Sequence, residues 1–365
     1  MKYSPRVIEA FLALVRAGLW EQPVSLPSLE ESDWDAILAL SEEQTVVGLV
    51  GDGLSRASGS KPPKAVRNAF ISTVYATEHR NAQMDAFLAA QYAQLQAAGI
   101  KTVVLKGQGV ARCYSHPQWR QSGDIDYLLE SDDYTRAKSI LVPSSNTEPS
   151  ENVQKKHLAL QIDTVEIELH GTVHAELSRR MDVELDKLQA EMFSKSLFRS
   201  WQDAGVDILL PSPDVDVVFV FTHILQHLFK GGIGLRQICD WCRLLWTYRD
   251  AIDRNLLEER LRAMKLKSEW YVFAAFAVNG LGMSVDAMPF YRPIASRRIH
   301  RLSSYILEVG NFGHNRDISY QRRGLPIFIR KCITFGRQAQ ENFRLVSIFP
   351  LDSIRFLFGY VLYKI

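Results

Sequence analysis

Nowhere in the chain do the roughly 18 uncharged apolar residues of a membrane-spanning helix run together. The opening "MKYSPRVIEAFLALVRAGLW" carries Arg16 within its apolar stretch and lacks a small-residue cleavage site, so it reads as an amphipathic helix rather than a signal peptide. Excess charge of either sign is also missing. Lys and Arg number 43 against 41 Asp and Glu, and a net +2 gives no chain-wide field to argue for nucleic acid. Cysteines are few: Cys113, Cys239, Cys242 and Cys332 are too scattered for a disulfide framework, which fits a reducing compartment and makes the cytoplasm the expected address. Cys239 and Cys242 form a C-x-x-C inside the helical run "LRQICDWCRLLW", with no second pair at zinc spacing, and read as core thiols. Internal repeats and low-complexity tracts are absent.

What is present is a globular composition, 47% hydrophobic over 365 residues, enough for two or three packed units. Residues 1–95 read as helical, with apolar positions at helical spacing in 7–17 and 34–40. The break "ASGSKPPKA" precedes a long helix closed by Gly99. Residues 96–205 change period. "IKTVVL" predicts a strand, 108–114 a short helix after a glycine turn, "DIDYLLE" a strand and "DDYTRAKSIL" a helix. "HLALQI" and "VEIELHG" predict a hairpin about Asp163 and Thr164. Residues 206–365 return to helical spacing and carry arginines at 297, 298, 301, 322, 323 and 330. Basic helix faces of this kind are usually solvated. The terminal "FPLDSIRFLFGYVLYKI" predicts a helix docked on the core.

The chemistry lies in "VVLKGQGVARCYSHPQWRQSGDIDYLLE". Side chains alternate along a strand, so Asp124 and Asp126 share one face while Ile125 and Tyr127 take the other. Two carboxylates so placed repel unless a cation lies between them, and magnesium prefers carboxylate oxygens together with substrate phosphates. The glycine turn at Lys106-Gly107-Gln108 leads into a helix and suits a phosphate, with Lys106 and Arg112 as charge partners. A third acid is available from "TVEIELHG", where Glu166 and Glu168 share the polar face with His170, and spacing alone leaves both open. On the later helices, His223 and His227 share a face, as do Arg236 and Asp240. Either pair lines a cleft or simply packs, the second as an intrahelical ion pair.

The order "VVLKGQGVAR … SGDIDYLL … IELHG" resembles the DNA polymerase beta-like nucleotidyltransferase superfamily, in particular an uncharacterised bacterial branch with LKG, DIDLL and [DE]LH motifs. The resemblance covers about a quarter of the chain strongly and extends more weakly into "THILQHLFKGGIGLRQICDWCRLLW". It implies an α+β fold in which a small mixed-sheet unit is flanked by helical N- and C-terminal parts. It implies that Asp124, Asp126 and Glu168 are catalytic and bind magnesium, or manganese in its place, and that Glu168 holds the metal that activates the acceptor hydroxyl, with a role as its base also open. Lys106, Gly107, Gln108, Arg112, Ser122 and Gly123 would hold the nucleotide phosphates, while His170, His223, His227, Arg236 and Asp240 would line the cleft. A nucleoside triphosphate such as ATP is the implied substrate and a small molecule or protein the acceptor. The sequence departs from the superfamily at Gln108, where a serine is usual, and at Glu168, where aspartate also serves. The alternative is a relative of the same fold that binds nucleotide or a partner without chemistry.

Overall fold

A computed structural model describes residues 2–311 and 326–350, with 353, 355 and 356. Three helices open the chain, α1 (Pro5–Leu19), α2 (Glu31–Glu43) and α3 (Val47–Ser55), with strands β1 (Val24–Leu26) and β2 (Ala57–Gly59) paired between them. Ser4 caps α1 by accepting from the Val7 amide, and Pro5 occupies its first turn, where a missing N–H costs nothing. The long helix α4 (Lys64–Ala97) then leads to the sheet unit, as the periodicity predicted.

That unit contains β3 (Thr102–Leu105), α5 (Gly107–Ala111), β4 (Asp124–Leu129), α6 (Ser131–Leu141), β5 (Ser150–Asn152), β6 (His157–Ile162) and β7 (Val165–His170). The sheet order is β3-β4-β7-β6-β5, with β4 and β7 parallel and the remaining pairs antiparallel. Helix α7 (Arg179–Ser194) follows, then the hairpin β8 (Phe198–Asp203) and β9 (Val206–Pro211). Both turn residues of that hairpin, Ala204 and Gly205, have positive φ, the geometry that a two-residue turn between twisted strands requires. The hairpin straddles positions 205 and 206, where the sequence suggested a boundary. Ile208 and Leu210 pack with the sheet's own core, and the Tyr92 hydroxyl accepts from the Leu209 amide while donating to the Thr102 carbonyl. Strand β9 therefore belongs with the sheet unit.

The C-terminal helices are α8 (Pro213–Lys230), α9 (Leu235–Thr247), α10 (Arg254–Met264), α11 (Lys267–Asn279), α12 (Ser296–Val309) and α13 (Ile327–Val346). On α12, Arg298 and Arg301 donate to the carbonyls of Ile348 and Ser347, tying it to the turn after α13. Arg322, Arg323 and most of the terminal aromatic stretch lie outside the described residues. Cys239 and Cys242 are fully buried on α9, where burial pushes both thiols up, and so are core thiols.

Strand alternation divides the sheet into two faces. Ile125, Tyr127, Leu129, Ile167 and Leu169 pack against Met84, Leu88, Tyr92 and Leu95 of α4 and Tyr134, Ala137 and Leu141 of α6. The other face turns toward α8 and α9 and carries the acids. The N- and C-terminal helices share one continuous apolar core rather than forming separate ones. Hydrogen bonds join them as well. Trp20 donates to the Leu281 carbonyl, and Arg243 to that of Leu19 at 2.8 Å. Fully buried Gln44 donates to the Ile306 carbonyl and accepts from the Leu235 amide at 3.0 Å.

Gln44→Ala leaves the Leu235 amide unpaired in the core and takes from the Ile306 carbonyl one of its two donors, the Gly310 amide being the other. It should lower unfolding free energy by about 2–3 kcal/mol in urea titrations, and a loss under about 0.5 kcal/mol would contradict a shared core.

Candidate active site

Parallel pairing of β4 with β7 sets Asp126 directly beside Glu168 and Asp124 beside Glu166. Ligand oxygens of Asp124, Asp126 and Glu168 all lie within 4.8 Å of one another. Glu166 is exposed and lines a separate surface hollow with Arg80 and Thr147, so Glu168 is the glutamate that meets the aspartates. Lys106 follows β3 and reaches Asp126 Oδ1 at 3.0 Å. Its backbone sits at φ +51°, ψ −132°, where a residue with a side chain is rarely found, and Gly107 follows at φ +31°. Strain of this kind persists where surrounding contacts over-determine it, and here it aims an ammonium group at the acids.

Two imidazoles complete the cluster. His170 Nε2 lies 2.8 Å from Asp126 Oδ1 and 3.3 Å from Glu168 Oε2. His157 Nε2 lies 3.1 Å from the same Glu168 oxygen. His157 had no role in the sequence reading. The Asp163-Thr164 turn, once accepted, pairs it with His170 across the hairpin, which is the signal that would have found it.

The electrostatics follow from these contacts. Asp126 beside it, with burial adding, pushes the Asp124 carboxyl up to about 6. Burial would raise Asp126 too, but Lys106 and His170 outweigh it and hold that group below the usual carboxylate range. Burial is likewise overcome at Glu168, where His157 and His170 hold the carboxyl well below its ordinary value. At His170 burial favours the neutral ring, yet Asp126 and Glu168 raise its proton affinity. Asp124 is thus the carboxylate whose charge lacks compensation. Three oxygen donors within reach of one another, one of them carrying unrelieved repulsion, fit a hard divalent cation such as magnesium.

The acids open on a cleft of two lobes that share Lys106, Glu168, His223 and His227. One lobe, about 240 Å³, contains Gly107, Gly123, Asp124, Asp126, Arg236 and Asp240. The other, about 360 Å³, contains His157, His170, His174 and Thr172. The His223 and His227 rings lie 4.2 Å apart on α8 and line both lobes. Burial, followed by Lys106, pushes His223 well down and His227 to about 4, so both are neutral imidazoles near pH 7. Among the described residues, neither belongs to a group of side chains spaced to hold a metal.

Arg236 and Asp240 both face the cleft without pairing to each other. Asp240 takes a bidentate contact from Arg120 at 2.9 and 2.7 Å and a hydrogen bond from the Tyr114 hydroxyl at 2.7 Å. The Arg120 link, spanning 120 positions, was not foreseen. Arg236 donates to the Gln121 carbonyl, its Nε is buried without a hydrogen-bond partner, and no described carboxylate lies within ion-pair distance. Burial, then the neighbouring Arg120, lowers its proton affinity to about 10, leaving it charged.

Other residues expected at the phosphates lie elsewhere. Gln108 is buried with Nε2 4.0 Å from Met84 Sδ. Arg112 pairs with Asp85 at 2.9 Å and stacks on Trp201. Gln108 on α5 and Arg112 at its C-cap are four apart, so the face that meets α4 takes both, while Gly107 and Val110 face the cleft. Ser122 accepts from Arg120 Nη1 at 3.0 Å and lines neither lobe, whereas Gly123 does.

Residues 30–281, more than half of the chain, match the family model described as uncharacterised nucleotidyltransferase. A crystal structure of an antigenic nucleotidyltransferase-like protein from Paracoccidioides brasiliensis is similar at 13% identity and a TM-score of 0.32, covering 55% of this chain and 93% of that one. No curated protein matches the chain.

The Asp124 charge yields a pH prediction. Its native proton affinity, about 6, exceeds the ordinary 3.8. The folded state therefore binds more protons between these values, and the stability this provides is lost as pH rises through about 6. In chelator-treated protein at about pH 8, Asp124→Asn should add about 1–2 kcal/mol of stability, discounted for partial exposure. The gain should vanish near pH 4. An equal effect at both pH values would refute the repulsion.

Proposed function

The chain belongs to the uncharacterised nucleotidyltransferase family, and on that premise we propose that it transfers a nucleoside monophosphate group from a nucleoside triphosphate to a hydroxyl-bearing small molecule or protein, with pyrophosphate released. The observation that supports this reading best is the convergence of Asp124, Asp126 and Glu168 on one sheet face beside an open cleft. These residues would hold magnesium, or manganese in its place, which supplies charge neutralisation for the phosphate oxygens.

The chain's own groups divide the remaining work. Lys106 and Arg236 bring positive charge to the lobe that contains Asp124 and Asp126, where triphosphate oxygens would meet them. Arg236 suits that contact because no described carboxylate competes for it within ion-pair distance, and its guanidinium can grip a phosphate through two donors. Asp240 orients Arg120 and Tyr114 and so shapes the lobe wall. The acceptor oxygen bonds to the α-phosphorus as the bond to the pyrophosphate oxygen breaks, and the hydroxyl proton passes to solvent through the open cleft. Glu168, whose proton affinity is held low, serves as a ligand rather than as the base. Catalysis then rests on positioning and charge neutralisation.

The test follows label from each nucleoside triphosphate, placed at the α- or the γ-phosphate, into a cell extract with purified protein and magnesium or manganese. Transfer from the α position is expected, and Asp126→Asn should reduce it by at least about a hundredfold. Transfer from the γ position alone would make the chain a phosphotransferase. Nucleotide binding without transfer would make it a non-catalytic relative.

A further inference from the structure

The hairpin of β6 and β7 carries a second ligand set, different in chemistry from the carboxylate cluster. Register places His157 opposite His170 and Ala159 opposite Glu168, so the three polar side chains share the face that opens on the larger lobe. Ala159 contributes only a methyl group, which leaves room for the imidazoles to lean inward. Both Nε2 atoms converge on one oxygen, Glu168 Oε2, at 3.1 and 3.3 Å, with the rings 4.9 Å apart. The ligand atoms of all three residues lie within 4.8 Å of one another. Beyond them the lobe of about 360 Å³ leaves space for additional ligands.

We propose that His157, His170 and Glu168 form a second metal site, distinct in chemistry from the site at Asp124 and Asp126, that takes a divalent transition ion through two imidazole nitrogens and one carboxylate oxygen. Imidazole donors select borderline ions such as zinc, cobalt, nickel or iron, whereas a site built from carboxylates alone favours magnesium or manganese. Three protein ligands beside an open lobe leave coordination positions for water or substrate, as at catalytic rather than closed structural sites. Glu168 belongs to both clusters, and His170 also touches Asp126, so the two sites adjoin. The site stands on the hairpin's geometry and does not depend on nucleotidyl transfer.

The test is binding, not turnover. Chelator-treated protein is dialysed against Co2+ in excess Mg2+, and retained cobalt is measured together with its visible absorption. Wild type should retain a single Co2+ ion that Mg2+ does not displace. His157→Ala and His157→Gln should each weaken retention by at least about tenfold, since losing even an outer partner of a metal ligand costs that much. Circular dichroism should confirm that both variants are folded, and Asp124→Asn should still hold cobalt. Displacement of Co2+ by Mg2+ from wild type, or equal retention by both folded His157 variants, would overturn the proposal. Neither outcome bears on whether an α-phosphate is transferred.

Discussion

Repulsion among three carboxylates on one sheet face is the constraint around which the rest of this molecule is arranged. Asp124, Asp126 and Glu168 are brought within 4.8 Å by the parallel pairing of two strands. A fold that gathers such charge must answer it. This chain does so unevenly. Lys106, forced into a rare backbone conformation, and His170 answer Asp126, while His157 and His170 answer Glu168. Asp124 is left with its proton affinity raised. A divalent cation would supply the missing compensation.

The cleft depends on a core that the order of the chain does not suggest. Helices from both ends of the sequence pack as one body, and that body presents α8 and α9 to the charged face of the sheet. Buried contacts such as Gln44 to Leu235 hold it closed. The Arg120–Asp240 pair then fastens the loop before β4 to α9. Arg236, one turn earlier on the same helix, is thereby kept at the cleft.

Local patterns were legible in the sequence and long-range ones were not. Period-two alternation placed Asp124 and Asp126 together because neighbouring strand residues decide it. The α+β class, the long α4 and the β6–β7 hairpin were visible for the same reason. Helix α7 was equally readable, since Met181, Leu185, Leu188 and Met192 recur at helical spacing and are buried, but it was not read. Spacing left Glu166 and Glu168 open and the resemblance named Glu168, while the β4–β7 register that sets it beside Asp126 forms across some forty positions. A helix as short as α5 carries too few residues to show its buried face. Gln108 and Arg112 therefore looked like phosphate ligands when they are in fact packed against α4. The shared core of the terminal helices and the Arg120–Asp240 pair involve residues far apart in sequence, beyond any local pattern.

On the proposed function, the acid face holds a divalent cation together with a nucleoside triphosphate. Calorimetric titration with a triphosphate bearing a methylene bridge between its α- and β-phosphorus atoms, with and without magnesium, tests it most directly. Binding should require magnesium and be lost in Asp126→Asn. Equal binding in the presence of chelator, or binding unaffected by that substitution, would contradict it.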